Sequence, residues 1–143
     1  MSRFEPVGVD GCGFPTLRGT ARGLARAFGH FAVDDRFGSA RSAMMARPTL
    51  TSDGHRPEAA LMEALPAVVK GGAVACVGVA MVDRFGMAAK CWDGSNKALY
   101  VGVIAALGQL GALDPAARES LASHARPAIM GGGQPVGFLE SAL

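Results

Sequence analysis

The chain has 143 residues, of which half are hydrophobic and 18% are charged, and this composition excludes an intrinsically disordered protein. Its length is typical of one domain, so we expect residues 1–143 to form a single domain. The net charge of +2 is too close to balance to indicate binding to nucleic acid or to an anionic membrane. No apolar run approaches the ~20 residues of a membrane span, the first residues lack the pattern of a signal peptide, and the three cysteines have no zinc-ribbon spacing. We therefore predict a cytoplasmic protein with reduced thiols.

The first third of the chain predicts a glycine-rich loop followed by a helix. Residues 8–15 are rich in glycine and predict the loop. Pro15 suits the first turn of a helix. Apolar residues recur after it at the spacing of one helical face, namely Leu17, Ala21, Leu24, Phe28 and Phe31. We therefore expect one helix to run from Pro15 through this set.

The middle of the chain predicts two further helices and a β-hairpin. Asp34 and Asp35 are suited to cap a second helix that Pro48 ends, and residues 58–65 have the composition of a short helix. Residues 73–82 are a valine-rich apolar run bounded by glycines and by an Asp-Arg-Phe-Gly segment. We predict that this run is a strand buried on both faces that pairs with residues 87–92. Because two strands alone are marginal in water, this hairpin needs a further sheet partner.

The last part of the chain predicts helices and a final short strand. Residues 97–110 form an apolar helical pattern, and Asp114 with Pro115 begins another helix that extends to residue 125. Three glycines then lead into a strand at residues 135–139. Helices, an antiparallel hairpin and further helices in this order are typical of an α+β fold, with an antiparallel sheet packed by helices.

Two segments carry side chains suited to chemistry. Asp10 and Cys12 lie in the glycine-rich loop, where they predict either a substrate or metal contact or a turn aspartate beside a small thiol. Lys70, followed by Gly71 and Gly72, opens the apolar strand. It predicts either a cleft-lining lysine that acts as a base when partly desolvated or an exposed lysine at a strand end. The three histidines are far apart, and no phosphate-binding or nucleophile-elbow motif follows a strand.

Six segments resemble motifs of the asparaginase II family, and they occur in the same order. They are residues 9–15 (the family's DGC-x-x-P), 45–48 (its M-x-x-H-P-E), Arg56 with residues 61–62 (its glycine–arginine loop and the following helix), 69–73 (its V-x-K-x-G-A), 88–94 (its G-x-x-x-K-x-x-D-G hairpin) and 132–137 (its last strand). Each motif is short, but six in order make the resemblance fairly specific. It covers nearly the whole chain.

The resemblance implies a serine–lysine type amidohydrolase that converts L-asparagine to L-aspartate and ammonia, with a β-lactamase/glutaminase-like fold. Lys70 falls where the cleft-lining lysine of that fold would be, so the resemblance implies a catalytic role for Lys70 and substrate contacts for Asp10 and Gly72. In the family's metal-binding members the cysteine of DGC helps to hold zinc. This implies a metal-ligand role for Cys12 in an incomplete site.

The sequence also departs from the family pattern at positions that matter for function. The family's S-x-x-K nucleophile segment and second metal cysteine lie upstream of DGC, and no S-x-x-K occurs in this sequence. Val74 stands where an acid usually follows K-x-G-A, and Glu58 stands where metal-binding members have another site cysteine. We therefore expect the equivalent of a C-terminal half, inactive alone and without tightly bound zinc, that acts on a small amide together with a second copy or the missing N-terminal half. The alternative is a non-catalytic remnant, or a structural domain that binds a small amide ligand.

Overall fold

The computed structural model describes residues 5–143, with side chains from Pro6 onward, and it has the predicted α+β fold. The strands are β1 (Glu5–Val9), β2 (Pro15–Arg18), β3 (Ala67–Gly72), β4 (Cys76–Met81), β5 (Phe85–Lys90), β6 (Ala128–Gly131) and β7 (Gln134–Phe138). The helices are α1 (Ala21–Val33), α2 (Gly38–Ala46), α3 (Pro48–Thr51), α4 (Pro57–Ala64), α5 (Asn96–Gln109), α6 (Pro115–Ser120) and α7 (Ala122–Ala125). The strands form antiparallel pairs in three sheets, ordered β1–β2, β3–β4–β5 and β6–β7. Within residues 5–143, no helix combines the length and apolar character needed to cross a membrane.

The sheet β3–β4–β5 separates two apolar layers. Val69 pairs with Val79, and this row of side chains joins the larger core formed with α4, α5 and α6. The neighbouring row contains Val68 and Ala80, which pack with Ala32 of α1 on the opposite face. Because side chains alternate along a strand, the valine-rich β4 is buried on both faces, as the sequence predicts.

Helix α1 lies directly on the sheet because two strand positions carry no side chain. A Cβ at Gly78 would lie 2.1 Å from the ring of Phe28, and a Cβ at Gly86 would lie 2.0 Å from the backbone nitrogen of Gly29. Neither distance is sterically allowed, so only glycine permits this approach. The helix begins after Thr20, whose hydroxyl accepts a hydrogen bond of 3.0 Å from the Gly23 N–H.

The structure corrects the predicted start of the first helix. Pro15 is the first residue of β2 rather than of a helix, because residues 15–18 pair with β1. The helix begins at Ala21, where the Thr20 cap satisfies an N–H of the first turn. The apolar residues from Ala21 onward form the predicted helical face, but Leu17 belongs to β2 and is exposed.

The structure also replaces the predicted hairpin by a three-stranded sheet. Residues 67–72 form β3, which supplies the further strand that the hairpin was expected to need. The turn from β3 to β4 contains Val74 and Ala75 with φ of 56° and 53°, a left-handed conformation that glycine or asparagine usually marks in a sequence. Residues 128–131 form β6, so the predicted last strand is the second strand of a hairpin. The predicted helix from Pro115 is divided at Leu121 into α6 and α7.

Two hairpins and one aromatic side chain are exposed outside this core. The β1–β2 and β6–β7 hairpins expose apolar side chains, among them Val9, Phe14 and Val136. The guanidinium of Arg126 pairs with Glu140 and lies 4.1 Å from the ring centroid of Phe138, which links the second hairpin to the end of α7. Trp92, the sole tryptophan, follows β5 and is 98% exposed.

Candidate functional site

Lys70 lies in the edge strand β3, beside an open apolar groove. The groove has a volume of about 290 Å³ and is lined by Lys70 with Ala27, Phe28, Phe31, Met44 and Val68. The Lys70 Nζ lies 3.5 Å from the backbone oxygen of Thr51, so the ammonium group extends toward α3. Lys70 is therefore an exposed strand lysine that also borders an apolar groove, which combines features of both sequence interpretations.

Asp10 closes the turn of the β1–β2 hairpin. Its Oδ1 accepts hydrogen bonds of 2.9 Å from the backbone N–H groups of Cys12 and Phe14. The backbone oxygen of Asp10 also accepts a hydrogen bond of 3.0 Å from Gly13, whose φ of 82° suits only glycine at low cost. Asp10 and Cys12 are both exposed. This geometry is that of a turn aspartate, the simpler of the two sequence interpretations.

The lysine that shares a groove with the end of the first hairpin is Lys90, not Lys70. A groove of about 360 Å³ is lined by Leu17, Thr20, Cys76 and Lys90 together with Leu24 and small neighbours. The residues lining the Lys70 groove include none from the Asp10–Cys12 turn, so this groove does not bring Lys70 and the turn together. The Lys90 Nζ donates to the backbone oxygens of Val74 at 2.5 Å and Cys91 at 2.6 Å and so holds the β3–β4 turn.

Two further positions of the β3–β4 corner bear on the sequence predictions. Gly72 pairs with Cys76 at the end of the sheet and is exposed, and it lies on the same face of β3 as Lys70. A substrate contact by Gly72 stays a prediction. Cys76 is half-buried and lines the groove beside α1.

A buried acid that the sequence did not reveal lies on the other face of β3. Glu58 of α4 is 4% exposed and Tyr100 of α5 is 3% exposed. A Cβ at Gly71 would lie 2.1 Å from Oε1 of Glu58 and 3.1 Å from the hydroxyl oxygen of Tyr100, so both side chains meet the strand where it has no side chain. Burial, together with the hydrogen bond and negative charge of Glu58, raises the pKa of Tyr100 well above its ordinary value.

The second oxygen of Glu58 has no hydrogen-bond partner among the described residues. An acid in the first turn of a helix is ordinarily solvated and favoured by the helix dipole, so neither composition nor spacing predicts this burial. In the sequence, Glu58 stands out only because metal-binding members of the resembled family have a cysteine at this position. A buried carboxylate with one oxygen left unpartnered is unusual enough to set this cluster apart from the rest of the core.

The loop after β5 is held by hydrogen bonds to Asp93. Its Oδ1 accepts from the Cys91 thiol at 3.0 Å and from the Ser95 N–H at 2.8 Å. The hydrogen bond from Cys91 and that from Ser95 hold the pKa of Asp93 below its ordinary value. Ser95 in turn caps α5 by accepting from the Ala98 N–H. These contacts indicate a structural role for the loop.

The side chains near Cys12 do not fit a zinc ion. Zinc sites use three or four protein ligands. In the part of the chain from Glu5 to Leu143, no three His, Cys, Asp or Glu side chains are grouped so that they could hold a metal ion. Cys12 is exposed, and Oδ1 of the nearby Asp10 already accepts two backbone hydrogen bonds. We assign no chemical step to zinc.

The antiparallel sheet with helices on both faces places the chain in the α+β class. A family model described as L-asparaginase II matches residues 2–141, nearly the whole chain. The chain therefore belongs to the L-asparaginase II family, which confirms the resemblance found in the six motifs and relates it to asparaginase-type amidohydrolases. A comparison with curated protein sequences finds no match.

Proposed function

We propose that this chain contributes the C-terminal part of an L-asparagine amidohydrolase and that its catalytic site is completed by residues from another polypeptide segment. The observation that carries this proposal is the family match over residues 2–141 in a sequence without an S-x-x-K motif. Removing the nucleophile from a catalytic unit costs a factor of ~10³ or more in rate, so the chain alone is expected to be inactive. We place the completed enzyme in the cytoplasm.

In this proposal Lys70 is the catalytic residue that the chain supplies. Phe28 and Val68 line the same groove and exclude water from one side of the lysine, while its ammonium group remains accessible from the edge of the sheet. Such a lysine can transfer a proton to or from the reacting amide. Gly72, on the same strand face, lets a small amide approach the backbone closely. Asp10 does not line this groove and its Oδ1 is engaged in its own turn, so this geometry gives a substrate contact by Asp10 no support.

The test combines ammonia release with ligand binding. We expect the purified chain to release no ammonia from L-asparagine above the buffer rate. We expect L-asparagine to bind weakly in calorimetric titration, and Lys70→Ala to remove that binding. Lys97→Ala is the matched control, because Lys97 is an exposed lysine at the start of α5. Turnover that Lys70→Ala abolishes would contradict the need for an outside nucleophile, and binding that survives Lys70→Ala would contradict the site.

The alternative function is a non-catalytic domain that binds a small amide or serves a structural role. The position of Asp10 favours it, because its carboxylate closes its own turn. A homodimer is compatible with either function. The two functions differ in one outcome: a polypeptide that carries the S-x-x-K segment of this family restores hydrolysis of L-asparagine in the first case and not in the second.

A further inference from the structure

Strand β5 has a free edge without the usual protection. It pairs with β4 on one side, and no other described strand pairs with it. Native edge strands are commonly protected by a charged residue, a proline or a bulge. The pairing of β5 with β4 is regular, and no charged residue or proline precedes Lys90 at the end of the strand. The opposite edge of the sheet differs, because β3 carries Lys70 in its middle.

A groove opens on each face of the sheet beside this free edge. On the α1 side, a groove of about 430 Å³ is lined only by residues of α1 and of the segment 84–86. On the α5 side, a groove of about 280 Å³ is lined by residues 87–91 and by α5, with Leu99 and Val103 among its apolar side chains. Neither groove is lined by a β4 residue, so both lie outward of β5. Together they leave space on both faces for the side chains of one more strand.

The two grooves differ in charge. The groove beside α1 is lined by four basic residues and by no acid, namely Arg22, Arg26, His30 and Arg84. All four are exposed. Two acids are near this groove but do not line it. Asp34 lies within electrostatic range of His30, but its carboxylate pairs with Arg36 at 2.5 Å. Asp83 is the residue before Arg84 in the sequence. The groove beside α5 is apolar except for Lys90 and Cys91 at its end.

This charge distribution disfavours a second copy as the occupant of the edge. A two-fold pairing of β5 with β5 of another copy would place both α1 helices on the same face of the sheet. Arg22 and Arg26 of each copy would then approach the same basic residues of the other, and like charges across an interface disfavour association. An acidic occupant has no such cost.

We propose that the free edge of β5 is a docking site for an extended segment of another protein in which acidic and apolar side chains alternate. The segment adds a fourth strand by backbone hydrogen bonding, as in other cases of strand addition. Because successive side chains of a strand point to opposite faces, the acidic ones reach the Arg22–Arg26 groove and the apolar ones the α5 groove. This inference is independent of the proposed function, since it uses neither Lys70 nor Asp10.

The test uses a synthetic nine-residue peptide of alternating Glu and Val and the full chain. We expect calorimetric binding that weakens as salt is added, because the basic groove is exposed. We expect Arg22→Glu with Arg26→Glu to weaken binding by about tenfold or more, as charge reversal at a docking surface does. The matched control, Arg47→Glu with Arg118→Glu, changes two exposed arginines outside both grooves and should leave binding unchanged. Amide hydrogens of β5 should gain protection from exchange when the peptide binds.

Four further outcomes would overturn the proposal. A Lys-Val peptide that binds as well as the Glu-Val peptide would contradict the charge argument. A Glu-Val peptide methylated on its backbone nitrogens should not bind, and if it does, strand addition is wrong. Absence of binding at millimolar concentrations of the Glu-Val peptide would overturn the proposal. Protection of the β5 amides that rises with the concentration of the chain, without peptide, would overturn it in favour of a second copy as the occupant. The salt dependence and the peptide series use the unaltered chain and so do not depend on the variants folding.

Discussion

The backbone nitrogen of Gly29 in α1 lies 2.0 Å from the position that a Cβ would occupy on Gly86 of β5. The carbonyl oxygen of Ala25 lies 2.3 Å from the same position. Helix backbone therefore contacts strand backbone here, and the smaller of the two apolar layers depends on this approach.

The first prediction is that Gly86→Ala destabilises the chain by about 1–3 kcal/mol, the usual cost of forcing extra atoms into a packed region. The added methyl group can be accommodated only if α1 moves away from the sheet. Gly102→Ala is the control, because a Cβ at Gly102 in α5 would have no atom within 4 Å and alanine favours a helix. Urea unfolding measures both variants. Equal stability of the two would mean that α1 is not held closely on the sheet.

The second prediction concerns the turn between β3 and β4. Val74 is exposed and has a φ of 56°, which is costly for a β-branched residue. Val74→Gly should therefore raise the free energy of unfolding by about 1 kcal/mol, the typical cost of the left-handed conformation. Ala73→Gly, in the same turn but without a positive φ, should lower it or leave it unchanged. Thermal unfolding measures the stability of the two variants. A stability gain in Ala73→Gly without one in Val74→Gly would contradict this account.

The third prediction is a pH dependence at the junction of α1 and α2. The hydrogen bonds from Arg36 lower the pKa of Asp34 from 3.8 to about 2. Because the folded pKa is the lower one, the stability that Asp34 contributes is present above pH 4 and is lost as the pH falls toward 2. Asp34→Asn should thus be less stable than the parent chain at pH 7, with the difference shrinking through this window. Melting temperatures of the parent chain and of Asp34→Asn from pH 7 to pH 2 measure this difference, and Asp35→Asn is the control. A difference in stability that does not change with pH would be inconsistent with the ion pair.

The fourth prediction concerns the buried acid. Tyr100→Phe removes the hydroxyl that hydrogen-bonds to Glu58, and the loss of a hydrogen bond to a buried charged group costs about 1–3 kcal/mol or more. In a Glu58→Gln background the same change should cost less, because the charge is gone. Glu63→Gln, an exposed position on the same helix, provides the control background. A double-mutant cycle by urea unfolding reports the coupling, and additive effects would show that the two side chains act separately.

Helical periodicity predicted α1 from Ala21 onward and α5, because each has an apolar face long enough to determine its structure. The valine-rich composition of β4 predicted a strand buried on both faces. Strand β3 was not predicted as a separate strand, since the turn that follows it has positive φ values at Val74 and Ala75, where the sequence has no glycine. The start of α1 depends on the pairing of β2 with β1, which no local pattern reveals.

The sequence did not predict how the residues of the candidate site are arranged. Lys70 lies within β3 and not at the start of the valine-rich strand, and its neighbours come from α1 and α2, whose packing is a tertiary property. The turn role of Asp10 was one of two interpretations that spacing left open. The burial of Glu58 depends on Gly71 lying beside it without a side chain, a contact between separate elements that the sequence does not encode locally.

The exposure of Trp92 gives the chain an intrinsic optical probe at an informative place. As the sole tryptophan, and one already in water, it will emit at long wavelength and be quenched readily by iodide in the folded state. Unfolding of the core will change its fluorescence little, so fluorescence melts of this chain will understate cooperative unfolding that circular dichroism detects. The indole lies just beyond the end of β5. A blue shift of its emission with reduced iodide quenching would therefore signal that something has covered that corner, without any added label.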